Sequence, residues 1–318
     1  YSFSPDTALT DGTTSVTIEY TEGGVTKTAE QAITVVHRLE SISITTKPTK
    51  TTYEYGDSFQ SAGMVVKATY SDGATANVTG YSCSPTLLST VGTQTITVSY
   101  TENSVTKTAT TSVTVNRKTI SAVPSQSGTL TYTGSSQSPS WSNYSTTQLT
   151  IGGTASGTNA GSYTATFTPK SNYRWADGTT TAKSVSWSIG KAAGSLSISP
   201  TSMTLDTTTK SKTITVTRSG DGAISAVSGN TAAATVSVSG NTVTVTGKAN
   251  GSATINISVA AGTNYTAPAS KTCAVTVSFL KDNFADNDWA SIIPACHSGS
   301  VPSTWVVGNS KTMTINGA

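Results

Sequence analysis

Thr93-Gln94-Thr95-Ile96-Thr97-Val98-Ser99-Tyr100 and, a short polar step later, Val105-Thr106-Lys107-Thr108-Ala109 decide the fold class of this chain. Apolar and polar residues alternate along the first run, the period of a strand with one face buried. A second run after a few turn residues makes the pair a β-hairpin. The same hairpin stands earlier in the chain. Ser15-Val16-Thr17-Ile18-Glu19-Tyr20 alternates in the same way, Glu22-Gly23-Gly24 turns, and Val25-Thr26-Lys27-Thr28-Ala29 returns.

The two hairpins belong to a longer repeat with a fixed spacing of 80 residues. Tyr1-Ser2-Phe3-Ser4-Pro5 comes back as Tyr81-Ser82-Cys83-Ser84-Pro85, and Tyr20-Thr21-Glu22 as Tyr100-Thr101-Glu102. From residue 1 to 36 no gap is needed, and half of the positions are identical. A repeat of this length marks an array of similar small domains, each with its own core. The segment Leu39 to Gly80 precedes the second copy and has no counterpart before the first. The expectation is therefore a chain that starts inside a domain and is a piece of something longer.

Composition points to display rather than chemistry. Thr and Ser supply about a third of the 318 residues. Thr is β-branched, favours strands, and suits the solvent face of a sheet. Charged residues make up 11% of the chain, against roughly 25% in ordinary domains. A net charge of +3 spread over several units makes no basic patch, which argues against a nucleic-acid partner. No apolar run approaches the ~20 residues of a membrane span. The three cysteines, Cys83, Cys273 and Cys296, fall one to a unit and read as free buried thiols rather than a disulfide framework.

Strand patterns restart near residues 37, 117, 191 and 279. Residues 1–37 read as the back half of a β-domain. Residues 38–117 read as a complete unit: Leu39, Ile42 and Ile44 open it, Tyr53-Glu54-Tyr55-Gly56-Asp57 turns, Met64 to Tyr70 is a strand, and Ser71-Asp72-Gly73 is a hairpin turn. About seven short strands with frequent turns are the pattern of an immunoglobulin-like sandwich. Residues 118–191 form a unit rich in Trp and Tyr, and residues 192–279 a further one with the strands Lys212 to Thr217, Ala234 to Val238 and Val243 to Thr246. The fold class expected is all-β: tandem Ig-like sandwiches in a linear array, a semi-rigid rod, with a short C-terminal α+β segment. In that segment, residues 280–318, Asp286-Asn287-Asp288 is an N-cap cluster. Trp289, Ile292, Ile293 and Cys296 follow at helical spacing, and Pro294 predicts one or two turns with a kink or an early stop. Thr304 to Ile315 reads as turn and strand, and Asn316-Gly317 as a hairpin turn whose partner strand is missing.

With Tyr53 to Asp57, Tyr70-Ser71-Asp72-Gly73 and Val91 to Tyr100, residues 39–117 resemble a bacterial Ig-like domain of the group 3 type. Residues 1–37 resemble the second half of another. Residues 192–279 are more loosely similar to the group 2 type, and 118–191, through Gly157 to Tyr163, to a related Ig-like or mucin-binding-associated module. The tail, through Gly299 to Asn309 and Lys311 to Gly317, resembles the opening of an uncharacterised domain of gut bacterial surface and prophage proteins. The resemblance implies extracellular architecture on a bacterial surface or a phage virion and supplies no catalytic residues.

Candidate sites are few. His37 and His297 are the two histidines, one in a linker and one in the tail, and no nucleophile–base–acid set is expected. Cys296-His297 reads as neighbours pointing apart, and Asp282, Asp286 and Asp288 as capping and turn residues rather than a calcium cluster. No local motif pairs a Lys with an Asn for an isopeptide bond. No catalytic residue, metal or cofactor is expected. Exposed aromatics stack on sugars, so the binding candidates are Trp175, Tyr173 and Trp141, with Trp175, in Asn172-Tyr173-Arg174-Trp175-Ala176-Asp177-Gly178, the best candidate for exposure. Against this stands a core role for Trp187 and Tyr163, the latter as a tyrosine corner. The function expected is a non-catalytic stalk that projects a C-terminal domain. The alternative is an adhesin or receptor-binding module gripping host glycan or protein. Partners would be other copies or subunits of the surface or virion assembly.

Overall fold

The computed structural model describes residues 1–311 apart from 8, 10–12, 36, 288 and 300. The strands run β1 (Ser2–Ser4), β2 (Ser15–Glu22), β3 (Val25–Ala32), β4 (Leu39–Thr46), β5 (Thr52–Glu54), β6 (Val65–Tyr70), β7 (Thr75–Val78), β8 (Ser82–Ser84), β9 (Gly92–Glu102) and β10 (Val105–Asn116). Then come β11 (Lys118–Ile120), β12 (Ser125–Ser127), β13 (Leu130–Thr131), β14 (Ser140–Ser142), β15 (Leu149–Gly153), β16 (Gly161–Pro169), β17 (Tyr173–Trp175) and β18 (Lys183–Gly190). The last set is β19 (Ser195–Ser199), β20 (Ser202–Asp206), β21 (Ser211–Ser219), β22 (Ile224–Ser228), β23 (Ala234–Ser239), β24 (Thr242–Gly247), β25 (Gly251–Val259) and β26 (Lys271–Ser278). One helix, α1 (Trp289–Ser298), follows. Two compact units divide the chain: residues 1–124, 143–151 and 167–183 form the first, and residues 125–142, 152–166 and 184–318 the second.

In the first unit, β1-β2-β3 form a three-stranded sheet. Residues 38–117 fold as a sandwich of a four-stranded sheet, β5-β10-β9-β8, and a three-stranded one, β4-β6-β7. The alternation read from the sequence decides which residues face inward. Ile96 and Val98 from β9, Val113 and Val115 from β10, and Val66 and Ala68 from β6 are all buried. Burying one such aliphatic side chain stabilises by about 1.5–3 kcal/mol. Tyr53 is buried with its hydroxyl satisfied, donating to Lys50 O at 3.0 Å and accepting from Gln60 N at 3.2 Å. The parallel pair β11–β17 also belongs to this unit.

In the second unit, β12 pairs antiparallel with β14, and β13 runs parallel to β18 with Leu130 opposite Ile189. Residues 195–278 close a four-on-four sandwich, β19-β21-β24-β23 against β20-β26-β25-β22. Its core is almost wholly aliphatic: Leu205, Ile214, Val243, Val245, Ile255 and Ile257 are each fully enclosed. One device recurs. An early strand pairs parallel with the last strand of its sheet, β5 with β10, β13 with β18, and β20 with β26. The early strand pairs with the side of the long last strand and becomes the edge itself. It is a short edge, three residues in β5, two in β13 and five in β20, and a short edge offers little backbone to a stray strand.

The C-terminal segment differs from expectation. The helix passes through position 294 and runs ten residues to Ser298, preceded by a 3₁₀ turn, Phe284–Asp286. Ile292 and Ala295 are its buried residues, whereas Ile293 and Cys296 are exposed. The inward face is therefore rotated from the expected stripe, because the helix packs toward Phe284, which meets Trp289 and Trp305 edge-on. The reading of three buried thiols is corrected accordingly: Cys273 is buried, Cys83 half-buried and Cys296 exposed. Asn287 is buried and caps from below, accepting from Lys281 N and donating to Asn283 O at 2.8 Å. Residues 304–311 form turns. The rest of the expected strand, Asn316-Gly317 and Asp288 lie outside the described residues.

Candidate functional site

Trp175 is buried, not exposed, at 1% of its free surface. The reason is pairing that no local pattern reveals. β17 runs parallel to β11 with Ile120 opposite Trp175, and both side chains face inward while Thr119 and Arg174 face outward. The indole Nε1 donates to Thr181 O at 2.9 Å, so its polar atom is satisfied. Lys183 Nζ lies 5.3 Å from the ring centroid, within cation–π reach, and 2.7 Å from Asp177 Oδ2. Lys183, then Thr179, hold the Asp177 carboxyl far below the usual carboxylate range. Trp175 is thus a lid pinned over a core, with no face offered to a ligand.

The two other aromatic candidates are half-buried. Tyr173 lies on β17 and meets Tyr55 edge-on at 5.6 Å. Trp141 lies on β14, opposite Gln126. Trp187 is buried, with Nε1 donating to Thr154 O at 2.7 Å, and stacks on Tyr163 at 4.6 Å. Tyr163 O–H donates to Asn159 O, four residues upstream, at 2.6 Å. That is the tyrosine-corner role read from the sequence.

His37, read as a linker residue, is tied down. Its Nδ1 lies 2.9 Å from Asp72 Oδ2, and its ring stacks on Tyr70 at 3.9 Å. The hydrogen bond to His37 lowers the Asp72 carboxyl from its ordinary value. Burial raises the Cys83 and Cys273 thiols, which disfavours the reactive thiolate at both.

One group of residues went unread in the sequence. Arg117 and Arg174 line a pocket of about 260 Å³ together with Val91, Thr114, Asn116 and Gly178. Arg117 is the single residue between β10 and β11, and the β11–β17 pairing brings Arg174 to it. Two arginines so far apart in the sequence carry no local signal.

Known families bear on one stretch. Residues 46–115 match the bacterial Ig-like domain (group 3). The match falls on the four-plus-three sandwich, within the stretch that resembled this family by its turns. Residues 195–278 form a further two-sheet sandwich in the same chain. Among solved structures, domains 4 and 5 of the S-layer protein SbsC are 22% identical, cover 42% of this chain and 77% of that one, and superpose with a TM-score of 0.24. The N-terminal four Ig domains of Dscam1 isoform 9.44 are 11% identical over 84% and 80% of the two chains, TM-score 0.28. Extracellular cadherin domains 1–4 of protocadherin gamma B7 are 10% identical over 83% of each, TM-score 0.26. No curated protein matches the chain at significance.

Proposed function

We propose that this chain is a non-catalytic spacer: Ig-like units 1–37, 38–117, 118–191 and 192–279, displayed outside a bacterial cell or on a phage particle, that project the C-terminal segment 280–318. The observation that carries this reading is the construction of the joints. Between β10 and β11 only Arg117 intervenes, and its Nε donates to Ser171 O at 2.9 Å while Lys118 N donates to Asn172 O at 2.9 Å. Tyr55 packs on Tyr173 across the same joint. At the next joint Ala192 N donates to Asn264 O, Thr266 N to Ala192 O, and Lys191 Nζ to Gly262 O at 2.7 Å. Asn264 Oδ1 accepts from Ala160 N at 2.9 Å, its own N is held by Asp221, and Tyr132 meets Tyr265 edge-on. Joints stitched by backbone bonds resist bending in a way that a Gly/Ser linker does not. A domain array that only bound ligands would not need them.

The binder alternative loses its leading residue with the burial of Trp175, since stacking on sugar needs an open ring face. The test is deletion. Removing 38–117 from the full protein is expected to leave target binding nearly intact while shortening the displayed structure in electron micrographs. Loss of binding on that deletion, with retention when the C-terminal segment from residue 280 is removed, overturns the spacer reading.

A further inference from the structure

The pocket of Arg117 and Arg174 has a use that the spacer reading neither needs nor supplies. The chain has four arginines, and two of them line this pocket. Each is anchored through Nε: Arg117 donates to Ser171 O at 2.9 Å, and Arg174 to Thr119 Oγ1 at 3.4 Å. Among the described residues neither enters an ion pair, and the Nη ends have no hydrogen-bond partner. Those ends are the forked part of the group that grips carboxylate, sulfate or phosphate.

No carboxylate lines the pocket. Of the acids in the same region, Asp177 is engaged by Lys183 at 2.7 Å, and Glu54 accepts from Thr119 Oγ1 at 3.3 Å. Two anchored cations facing one space without a counter-ion repel each other, and an anion between them relieves that repulsion. The volume, about 260 Å³, falls just short of pockets for drug-sized ligands, roughly 300–1,000 Å³. It suits one charged ring or group. Of the remaining walls, Thr114, Asn116, Gly92 and Gly178 offer hydroxyl, amide and backbone groups, and Val91 and Val115 add apolar contact.

We propose that this pocket binds a single oxyanion group, carboxylate or sulfate. Arg117 is exposed and Arg174 half-buried, so their charge is screened by solvent and salt, and affinity is weak and falls with ionic strength.

The test uses the full chain, labelled with ¹⁵N, titrated at constant ionic strength with sodium sulfate, with a glucuronate-containing tetrasaccharide and with neutral cellotetraose. Saturable shifts at the amides of Asn116, Arg117, Arg174 and Gly178 are expected with both anions, and none with the neutral tetrasaccharide. Arg117→Gln with Arg174→Gln is expected to weaken binding by at least about tenfold. Thr114→Glu, at an exposed strand position, retains both arginines and gives them an internal carboxylate; the same loss is expected. Absence of saturable shifts with either anion overturns the site, as does unchanged affinity in both variants.

Discussion

Residues 1–36 and 81–116 are two copies of one sequence, and they fold alike yet sit in different surroundings. In both, a short strand pairs with the first arm of a hairpin at the same register: Phe3 faces Ile18, and Cys83 faces Val98. Both hairpins turn on two residues with positive φ, Gly23 and Gly24 in one and Asn103 and Ser104 in the other. Even a surface hydrogen bond recurs, Thr21 to Thr26 and Thr101 to Thr106, each at 2.8 Å. Burial separates them. Val98 is fully enclosed against Leu39, Ile42, Val66 and Ala68 of β4 and β6, and Ile96 among Tyr53, Leu88, Val113 and Val115, whereas β3 is exposed along its whole length and Phe3 retains 56% of its free surface. Hairpin geometry is a local property set by alternation and turn chemistry. Burial is a property of the second sheet.

The sharpest way to break this comparison is a matched pair of truncations. Ile96→Ala is expected to destabilise the 38–117 sandwich by about 2–5 kcal/mol, the cost of a cavity in a closed core. Val16→Ala, at the equivalent position of the first copy, is expected to change little, within about 0.5 kcal/mol. Hydrogen exchange along β9–β10 and β2–β3 reads both locally, which matters because every tryptophan lies beyond residue 140 and does not report on this region. Equal effects would show that the first copy has a core of its own.

A second contrast titrates. Tyr70 on β6 is buried, and burial followed by its hydrogen bond to Glu102 pushes its phenol up to about 12. The unfolded value is near 10. A group whose folded value is raised favours the fold while it keeps its proton. The contribution is complete below about pH 10 and is lost as pH rises toward about 12. Melting of the 38–117 sandwich is therefore expected to fall in that window, and Tyr70→Phe is expected to remove the step. The first copy, with no β6 against it, is expected to show no step of this origin.

The smallest effect lies in the turns. Ser104 holds φ at 63°, a conformation unfavourable for a residue with a Cβ. Ser104→Gly, which copies the first hairpin, is expected to stabilise by up to about 1 kcal/mol, less what glycine loses in backbone entropy. Gly24→Ser is expected to weaken the first hairpin, read as faster exchange at the amides of Glu22 and Val25. A neutral result in both would mean that strand pairing rather than the turn fixes the hairpin.

Much of the fold is written in short stretches. Alternation along Thr93 to Tyr100, Lys212 to Thr217 and Val243 to Thr246 names both the strands and their inward residues, because period two and sheet geometry are the same fact. The tyrosine corner at Tyr163 was legible for a like reason: its partner, Asn159, is four residues away. Pairings between residues distant in the chain are not written anywhere in particular. Parallel pairing of β11 with β17 turns Trp175 inward, although the loop around it looks like a surface turn, and carries Arg174 to Arg117. The C-terminal helix illustrates the same limit, since packing against Phe284 and Trp305 selects Ile292 and Ala295 and leaves Cys296 outside. By itself the sequence determined strands, turns and the repeat, all properties of neighbours. Only the tertiary structure decided which apolar faces were covered and which polar groups met, because loop closure joins residues whose chemistry leaves no trace at the spacing where sequence patterns can be read.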